Sequence, residues 1–284
     1  MARVLVAGCG YVGCALAARL VADAHEVWGL RRRPAGMPAG VQPISADLSA
    51  PRSLKEPLPD LDFAFYLVSP GGSDDPFYRT ACVDGLRGLL QALDRQSRRL
   101  RRLFFASSTS VYAQRDGEWV DEGSRTSGSR PTTRRLLEGE ALAQQAPIPV
   151  TRVRFAGIYG PRRTRLVDRV RSGNAVYRKS PPQWTNRIHR DDAAGALRHL
   201  MGLAAPESLY LGVDCEPATE QGVLEWLSGA LGAPPPRPGP AGDAAGRGGE
   251  SNKRCRNRRL LDSGYRFLYP SYREGYQAVL DELP

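Results

Sequence analysis

Residues 3–18 restrict this chain more than any other stretch. Arg3-Val4-Leu5-Val6-Ala7 runs without a break into Gly8-Cys9-Gly10-Tyr11-Val12-Gly13, and small residues follow from Cys14 to Ala18. An apolar run that ends in glycines and passes straight into a helical segment is the pattern of a buried parallel strand turning sharply into a helix. Gly8 permits the tight turn, Gly10 lets backbone approach a pyrophosphate, and Gly13 lets helix and strand pack closely. The helix N-terminus adds unpaired N–H groups and a partial positive charge. Three glycines also occur in plain loops, but the strand before and the helix after point to dinucleotide binding.

The second expected strand, His25-Glu26-Val27-Trp28-Gly29-Leu30, bears on which dinucleotide. A strand end that selects NAD carries an acid that accepts from the ribose 2′-hydroxyl. Here Arg31 stands there, followed by Arg32 and Arg33. A carboxylate would repel a 2′-phosphate, whereas a guanidinium pairs with it through two parallel charged hydrogen bonds. Arg31 and Arg32 therefore favour NADP over NAD; a solvated basic turn is the plain alternative.

At 284 residues the chain fits one large α/β domain with a smaller appendage. A hydrophobic content of 41% with no long apolar run excludes a membrane span. The first strand begins too soon after Met1 for a signal peptide. Cys9, Cys14, Cys82, Cys215 and Cys255 show no Cys-x-x-Cys spacing and read as reduced thiols of a cytoplasmic protein. His25, His189 and His199 are too scattered for a metal site. The net charge of +10 is spread over helices and loops, with neither a helix-turn-helix nor an aromatic platform. It suits an anionic small-molecule substrate, or a GC-rich genome's preference for arginine, better than nucleic acid.

Val41 to Leu48 reads as a third strand and Pro51 to Pro59 as a loop. Leu61 to Ser69 reads as a fourth strand, ending at Pro70-Gly71-Gly72. Ligands of parallel sheets lie beyond the carboxyl ends of the strands, which puts Leu67 and Ser69 beside the cofactor. Asp75 to Arg98 is expected as one long helix with Leu86, Leu89, Leu90 and Leu93 on one face. Next, the apolar strand Leu103-Phe104-Phe105-Ala106 ends in hydroxyls, Ser107-Ser108-Thr109-Ser110, before Val111-Tyr112. Ser107 and Ser108 can bond a substrate carbonyl or alcohol, or close their own turn.

A helix opens at Pro131, and its Arg134 and Arg135 suit an anionic substrate or a solvated face. Pro149 to Phe155 and Leu209 to Val213 return to the sheet, and Arg162 to Arg171 forms a basic amphipathic segment. In Arg187-Ile188-His189-Arg190-Asp191-Asp192, His189 reads as a fastener of the following helix rather than an acid–base group. Glu220 to Leu231 is a helix, Pro234 to Ser251 a flexible loop, and Tyr272 to Leu280 the last helix.

Gly8-x-Gly10-x-x-Gly13, Asp47-Leu48, Ser107-Ser108-x-x-Val111-Tyr112, Arg154-x-x-x-Ile158-Tyr159-Gly160-Pro161 and Ile188-His189-x-Asp191-Asp192 occur in family order. Over about residues 3–200 the chain resembles the extended or atypical short-chain dehydrogenase/reductases of the NAD-dependent epimerase/dehydratase superfamily. The resemblance implies an α/β Rossmann fold with a doubly wound parallel sheet in residues 1–160, completed by about 186–215. A small C-terminal α/β substrate domain would comprise 161–185 and 216–284. It also implies cofactor contacts at Gly8, Gly10, Tyr11, Val12, Gly13, Asp47 and Leu48, with Asp47 meeting the adenine. Tyr159 would lie in the loop under the cofactor, and Ser108 matches the catalytic hydroxyl.

The chain departs from that family in its catalytic pair, Tyr-x-x-x-Lys. Counting back from Glu140 places Thr132 and Leu136 there, and counting from Glu138 places Arg130 and Arg134. Cys82 stands for the family's helix asparagine, and Thr109-Ser110 for the Asp-Glu pair of sugar dehydratases. The lysine normally lowers the phenol pKa so that a phenolate can take the substrate's proton. Without it, alcohol oxidation near neutral pH lacks a base. Three readings stand. The first is an NADP-dependent reductase of a small carbonyl or imine, in which Ser108 with Tyr112 or Tyr159 orients or protonates the substrate. The second is a nucleotide-sugar epimerase or dehydratase-like enzyme with a displaced base, and the third a non-catalytic NAD(P)-binding sensor. Tyr112 also reads as packing over the nicotinamide. Neither the substrate nor the oligomer, a homodimer included, is legible.

Overall fold

The computed structural model describes residues 1–50, 52–95, 100–239 and 251–283. The chain begins with β1 (Arg3–Ala7), α1 (Tyr11–Ala22), β2 (Glu26–Arg31), β3 (Val41–Ser45) and β4 (Phe63–Tyr66). It continues through α2 (Asp75–Arg79), α3 (Gly85–Leu93), β5 (Arg102–Ser108), β6 (Glu118–Val120), α4 (Pro131–Gln144) and β7 (Val150–Phe155). Then come β8 (Gly157–Tyr159), α5 (Arg165–Arg171), β9 (Val176–Tyr177), β10 (Trp184–Thr185), β11 (Arg187–His189) and α6 (Arg190–Gly202). Last are β12 (Leu209–Gly212), β13 (Ala218–Thr219), α7 (Glu220–Leu231), β14 (Arg237–Pro238), β15 (Lys253–Cys255), α8 (Arg258–Asp262) and α9 (Tyr272–Asp281).

The main sheet has the order β12-β7-β5-β4-β1-β2-β3. It is the doubly wound parallel α/β sheet that the sequence implies: β1 pairs in parallel with β2 and β4, β2 with β3, and β4 with β5. Val4, Leu5, Val6 and Ala7 are all fully buried, so both faces of β1 are covered. On one face Leu5, Leu30, Tyr66 and Phe105 join Leu86 and Leu89 of α3 in a single core. Among the described residues no helix is long and apolar enough to cross a membrane.

Two compact units result: Met1–Val111 with Ser127–Arg154 and Ala194–Tyr210, and Tyr112–Thr126 with Phe155–Ala193 and Leu211 onward. Of the residues expected in the first domain, 112–126, 155–160, 186–193 and 211–215 belong to the second unit. There Gly117 to Glu122 supplies β6, which pairs in parallel with β15. The second unit has its own core, Tyr159, Val167 and Val170 against Leu224, Leu227 and Tyr276. Its helices carry local end signals. Thr219 caps α7 by accepting from Gly222 N–H at 3.1 Å, and Gly232 ends it in the left-handed conformation. Ser271 caps α9 in a reciprocal box with Glu274.

The single helix expected over 75–98 is interrupted by a π turn at Thr80–Asp84. Its cause lies in β4: the buried Tyr66 hydroxyl donates to Ala81 O at 2.5 Å, serving a carbonyl in the widened turn. A Cβ on Gly85 would stand 2.5 Å from that hydroxyl. Residues 96–98 of the expected helix lie outside the described residues, as do 240–250 of the expected loop. Before that gap, β14 pairs with β9.

Candidate functional site

The turn after β1 is built from three glycines with different duties. Gly8 adopts φ +86° and donates to Leu30 O at 2.9 Å; a Cβ there would stand 2.5 Å from backbone atoms of Leu67 and Val68. At Gly13 a Cβ would stand 2.5 Å from Gly8 O. Both positions are glycine because backbone packs on them. Gly10 differs: the nearest atom to a Cβ there is 3.9 Å away, so this backbone faces open space. Beyond it the N–H groups of Val12 and Gly13, in the first turn of α1, have no intrahelical acceptor. That is a cradle a side chain at Gly10 would fill, and a pyrophosphate fits it. Tyr11 and Val12 are half-buried beside it.

Arg31, at the end of β2, lies against this turn. Its Nη1 donates to Cys9 O at 3.1 Å and its Nη2 donates to Ala35 O. Two of its donors are thus spent on holding the turn to the loop after β2. Arg32 projects an exposed side chain, and its charge helps Ser49 hold the Asp47 carboxyl below the usual range. Asp47 Oδ1 accepts from Ser49 N–H at 3.0 Å and from Ser49 Oγ at 2.6 Å. Leu48 is clamped by α3, where a Cβ on Gly88 would stand 1.9 Å from Leu48 O. Leu67 donates to Ala7 O at 2.7 Å and walls the turn through its backbone, while Ser69 is exposed.

At the end of β5 the two serines part. Ser107 Oγ donates to Glu140 Oε1 at 2.6 Å, inside the unit. Glu140 also accepts from Arg154 Nε at 2.9 Å, Arg154 Nη2 at 2.7 Å and Arg152 Nη1 at 3.2 Å. Ser107, Glu140, Arg152 and Arg154 are all buried. Ser107 therefore locks β5 to α4 and β7 through its hydroxyl. Ser108 is half-buried, and its oxygen accepts from Ser110 N–H at 3.1 Å, which leaves its O–H to donate.

Neither register of the missing catalytic pair places a phenol and an ammonium on α4. Leu136 is buried, Thr133 donates to Arg130 O at 3.0 Å, and Arg134 is exposed. Arg135 is tied to Asp75 at 3.0 and 3.1 Å and to Glu138 at 2.8 Å, so it is committed to surface ion pairs. Cys82 sits in the π turn, where burial pushes its thiol up to about 12. Its carbonyl lies 2.5 Å from where a Gly139 Cβ would be, which sets the close crossing of α4.

Tyr112 and Tyr159 belong to the second unit. Tyr112 is buried and bridges Thr126 in antiparallel fashion. Tyr159 stacks on Tyr276 with ring centroids 4.4 Å apart, and its hydroxyl points at Gly275. Burial raises that phenol's pKa, and its ring packs into the second unit's core. His189 is fully buried, its Nδ1 accepting from Asp191 N–H at 3.2 Å, which fastens the start of α6. Asp192 accepts from Tyr265 Oη and from the N–H groups of Leu268 and Tyr269 at 2.7–2.9 Å.

The sequence reading passed over the Glu140–Arg152–Arg154 cluster. A signal existed: Arg152 and Arg154 stand two apart in a strand of a buried sheet, hence on one face, and Glu140 stands among Leu136 and Ala143 on a buried helix face.

The model of the NAD dependent epimerase/dehydratase family matches residues 4–205. A solved Methylobacillus flagellatus chain placed among the NAD-dependent epimerase/dehydratases is 38% identical; it superposes with a TM-score of 0.80 over 99% of this chain and 98% of that one. The 3-diazoavenalumate denitrifying reductase of a Streptomyces species is 27% identical over 260 residues, 84% of each chain. Human epimerase family protein SDR39U1, solved with NADPH, is 23% identical with a TM-score of 0.83 over 99% of this chain and 100% of that one, a likeness of fold.

Proposed function

Since this chain belongs to the NAD dependent epimerase/dehydratase family, we propose that it is an NADP-dependent reductase acting on a small carbonyl or imine compound. The observation that carries this reading is Ser108: a hydroxyl at the carboxyl end of β5 with its proton free to donate, in a chain whose α4 carries no Tyr-x-x-x-Lys pair. An epimerase must remove a proton from a hydroxyl and return it. A reductase needs a hydrogen-bond donor at the reacting heteroatom and one proton from any nearby source. The guanidinium groups of Arg130 and Arg134 stay charged and cannot serve as bases.

A bound reduced nicotinamide dinucleotide supplies the hydride. Gly10 and the first turn of α1 would take the pyrophosphate, Arg32 would pair with the 2′-phosphate while Arg31 holds the turn, and Asp47 would meet the adenine. Ser108, oriented by Ser110 N–H, donates to the carbonyl oxygen or imine nitrogen as negative charge develops there. Water or a group of the substrate provides the proton, so the product gains one hydride and one proton. Arg134, exposed on α4, suits an anionic substituent. The Streptomyces relative, a reductase by name, supports net reduction over epimerisation.

The test is consumption of NADPH by the purified chain with a panel of carbonyl compounds, imines and nucleotide sugars. At least one carbonyl or imine is consumed, and Ser108→Ala lowers kcat by about a hundredfold or more, the worth of a donor to developing charge. Interconversion of a nucleotide sugar without net consumption, or no turnover across the panel, overturns the reading. Arg32→Asp weakens NADPH about tenfold to a hundredfold more than NADH. Arg31→Asp also favours NADH but costs both cofactors, because it releases Cys9 O. Equal losses from Arg32→Asp would remove the case for NADP.

A further inference from the structure

The glycine turn holds two thiols that hydride transfer does not use. Cys9 immediately precedes Gly10, the residue before α1, and Cys14 is the fourth residue of α1. These are the positions at which a hydrophobic staple brings two side chains into contact. The sulfurs are 3.9 Å apart, and the Cys14 thiol donates to Cys9 O at 3.3 Å. Arg31 Nη1 lies 3.1 Å from Cys9 O and 3.9 Å from Cys14 Sγ. The pair is unequal. Cys9 is fully buried and burial pushes its thiol up to about 12, whereas Cys14 is half-buried, so it is the sulfur an oxidant reaches.

We infer that Cys9 and Cys14 form a thiol–disulfide site inside the dinucleotide cradle: hydrogen peroxide joins the two sulfurs, and the bond loosens the hold on NADPH until a thiol reductant reopens it. The inference rests on the glycine turn being that cradle. Cys14 sulfur attacks one peroxide oxygen, the O–O bond breaks, and the thiol's proton leaves with the other oxygen as water. Cys9 sulfur then displaces hydroxide from the Cys14 sulfenic acid; an S–S bond forms, and the Cys9 proton completes a second water. Two thiols lose two electrons and one peroxide gains them.

A disulfide spans about 2.05 Å, so the sulfurs must close from 3.9 Å. That closure removes the thiol donor from Cys9 O and pulls on the backbone at both sides of Gly10, the residue that faces the open cradle. Arg31, anchored on the same carbonyl, is displaced with it.

The test uses the full chain, reduced and then treated with hydrogen peroxide, alkylated without reduction and cleaved after arginine. The peptide Val4–Arg19 carries both thiols. It is expected two hydrogens lighter and unalkylated, and NADPH affinity, read by fluorescence titration, falls at least tenfold and returns with dithiothreitol. NADPH added before the peroxide slows the loss of hydrogens. Cys14→Ala removes both effects, and Cys9→Ser halts at a Cys14 sulfenic acid that dimedone traps. A Val4–Arg19 peptide that takes two alkyl groups after peroxide overturns the inference, as does a disulfide formed with NADPH affinity unchanged. If the reduced chain binds neither NADPH nor NADH, the cradle reading itself falls, whatever the peptide's mass.

Discussion

Replacing Glu140 by Gln tests whether the first unit depends on a buried charge cluster. The carboxylate is 3% exposed and accepts four hydrogen bonds, one from Ser107, two from Arg154 and one from Arg152. The two guanidinium side chains are 10% and 6% exposed. Gln keeps the shape but removes the carboxylate that takes these four bonds, and its NH2 faces guanidinium donors. Breaking a buried pair costs about 3–5 kcal/mol, because the remaining charge is left uncompensated. At roughly 2–4 °C per kcal/mol for a chain of this size, the melting temperature falls by about 6–20 °C. Urea unfolding followed by circular dichroism measures the loss. Glu138→Gln, on an exposed i,i+3 pair with Arg135, is the control and costs under about 1 kcal/mol. If Glu140→Gln loses no more than this control, the cluster carries no such weight.

Three further substitutions test other parts of the chain. Gly10→Ala and Gly13→Ala separate binding from packing: at Gly13 the added carbon overlaps Gly8 O and costs about 1–3 kcal/mol or more, seen in the melting temperature. Gly10→Ala enters open space, so melting changes little while titrated NADPH affinity collapses; unchanged affinity would refute the cradle. Asp214 sets a pH dependence. Burial pushes its carboxyl up to about 8 from 3.8, against the opposing pull of Arg187. The folded chain therefore keeps a proton that the unfolded chain has released, so stability declines as pH rises from about 4 to about 8. At about 1.4 kcal/mol per unit the whole decline is of order 5 kcal/mol. Asp214→Asn flattens denaturant midpoints between pH 5 and 8 and raises stability at pH 8; parallel slopes in both proteins would sink the assignment.

The strand, glycine turn and first helix were legible because their causes are local. Gly13 is required by the Gly8 carbonyl five residues before it, and an apolar run stopping at Ala7 announces a buried parallel strand; the backbone that requires Gly8, just past β4, is remote in sequence. The hydroxyls ending β5 were equally visible. Their division of labour was not: whether Ser107 or Ser108 keeps a proton to donate depends on Glu140, a helix away. The long helix expected over 75–98 breaks where Tyr66 donates to Ala81 O, and nothing in residues 75–98 announces that hydroxyl. The same holds for β6, a strand because Lys253–Cys255 lies beside it.

The amino-acid order by itself determined the buried first strand, the glycine turn and the absence of a Tyr-x-x-x-Lys pair, since hydrophobic periodicity acts within a few residues, and the family resemblance added the doubly wound sheet. Only the tertiary structure decided which polar groups are already spent. Arg31 is drawn onto Cys9 O and Ser107 onto Glu140, while Ser108 and Arg32 keep donors to offer. The physical reason is desolvation. A buried charge or hydroxyl must find its partner wherever the fold brings one, and such partners are remote in sequence.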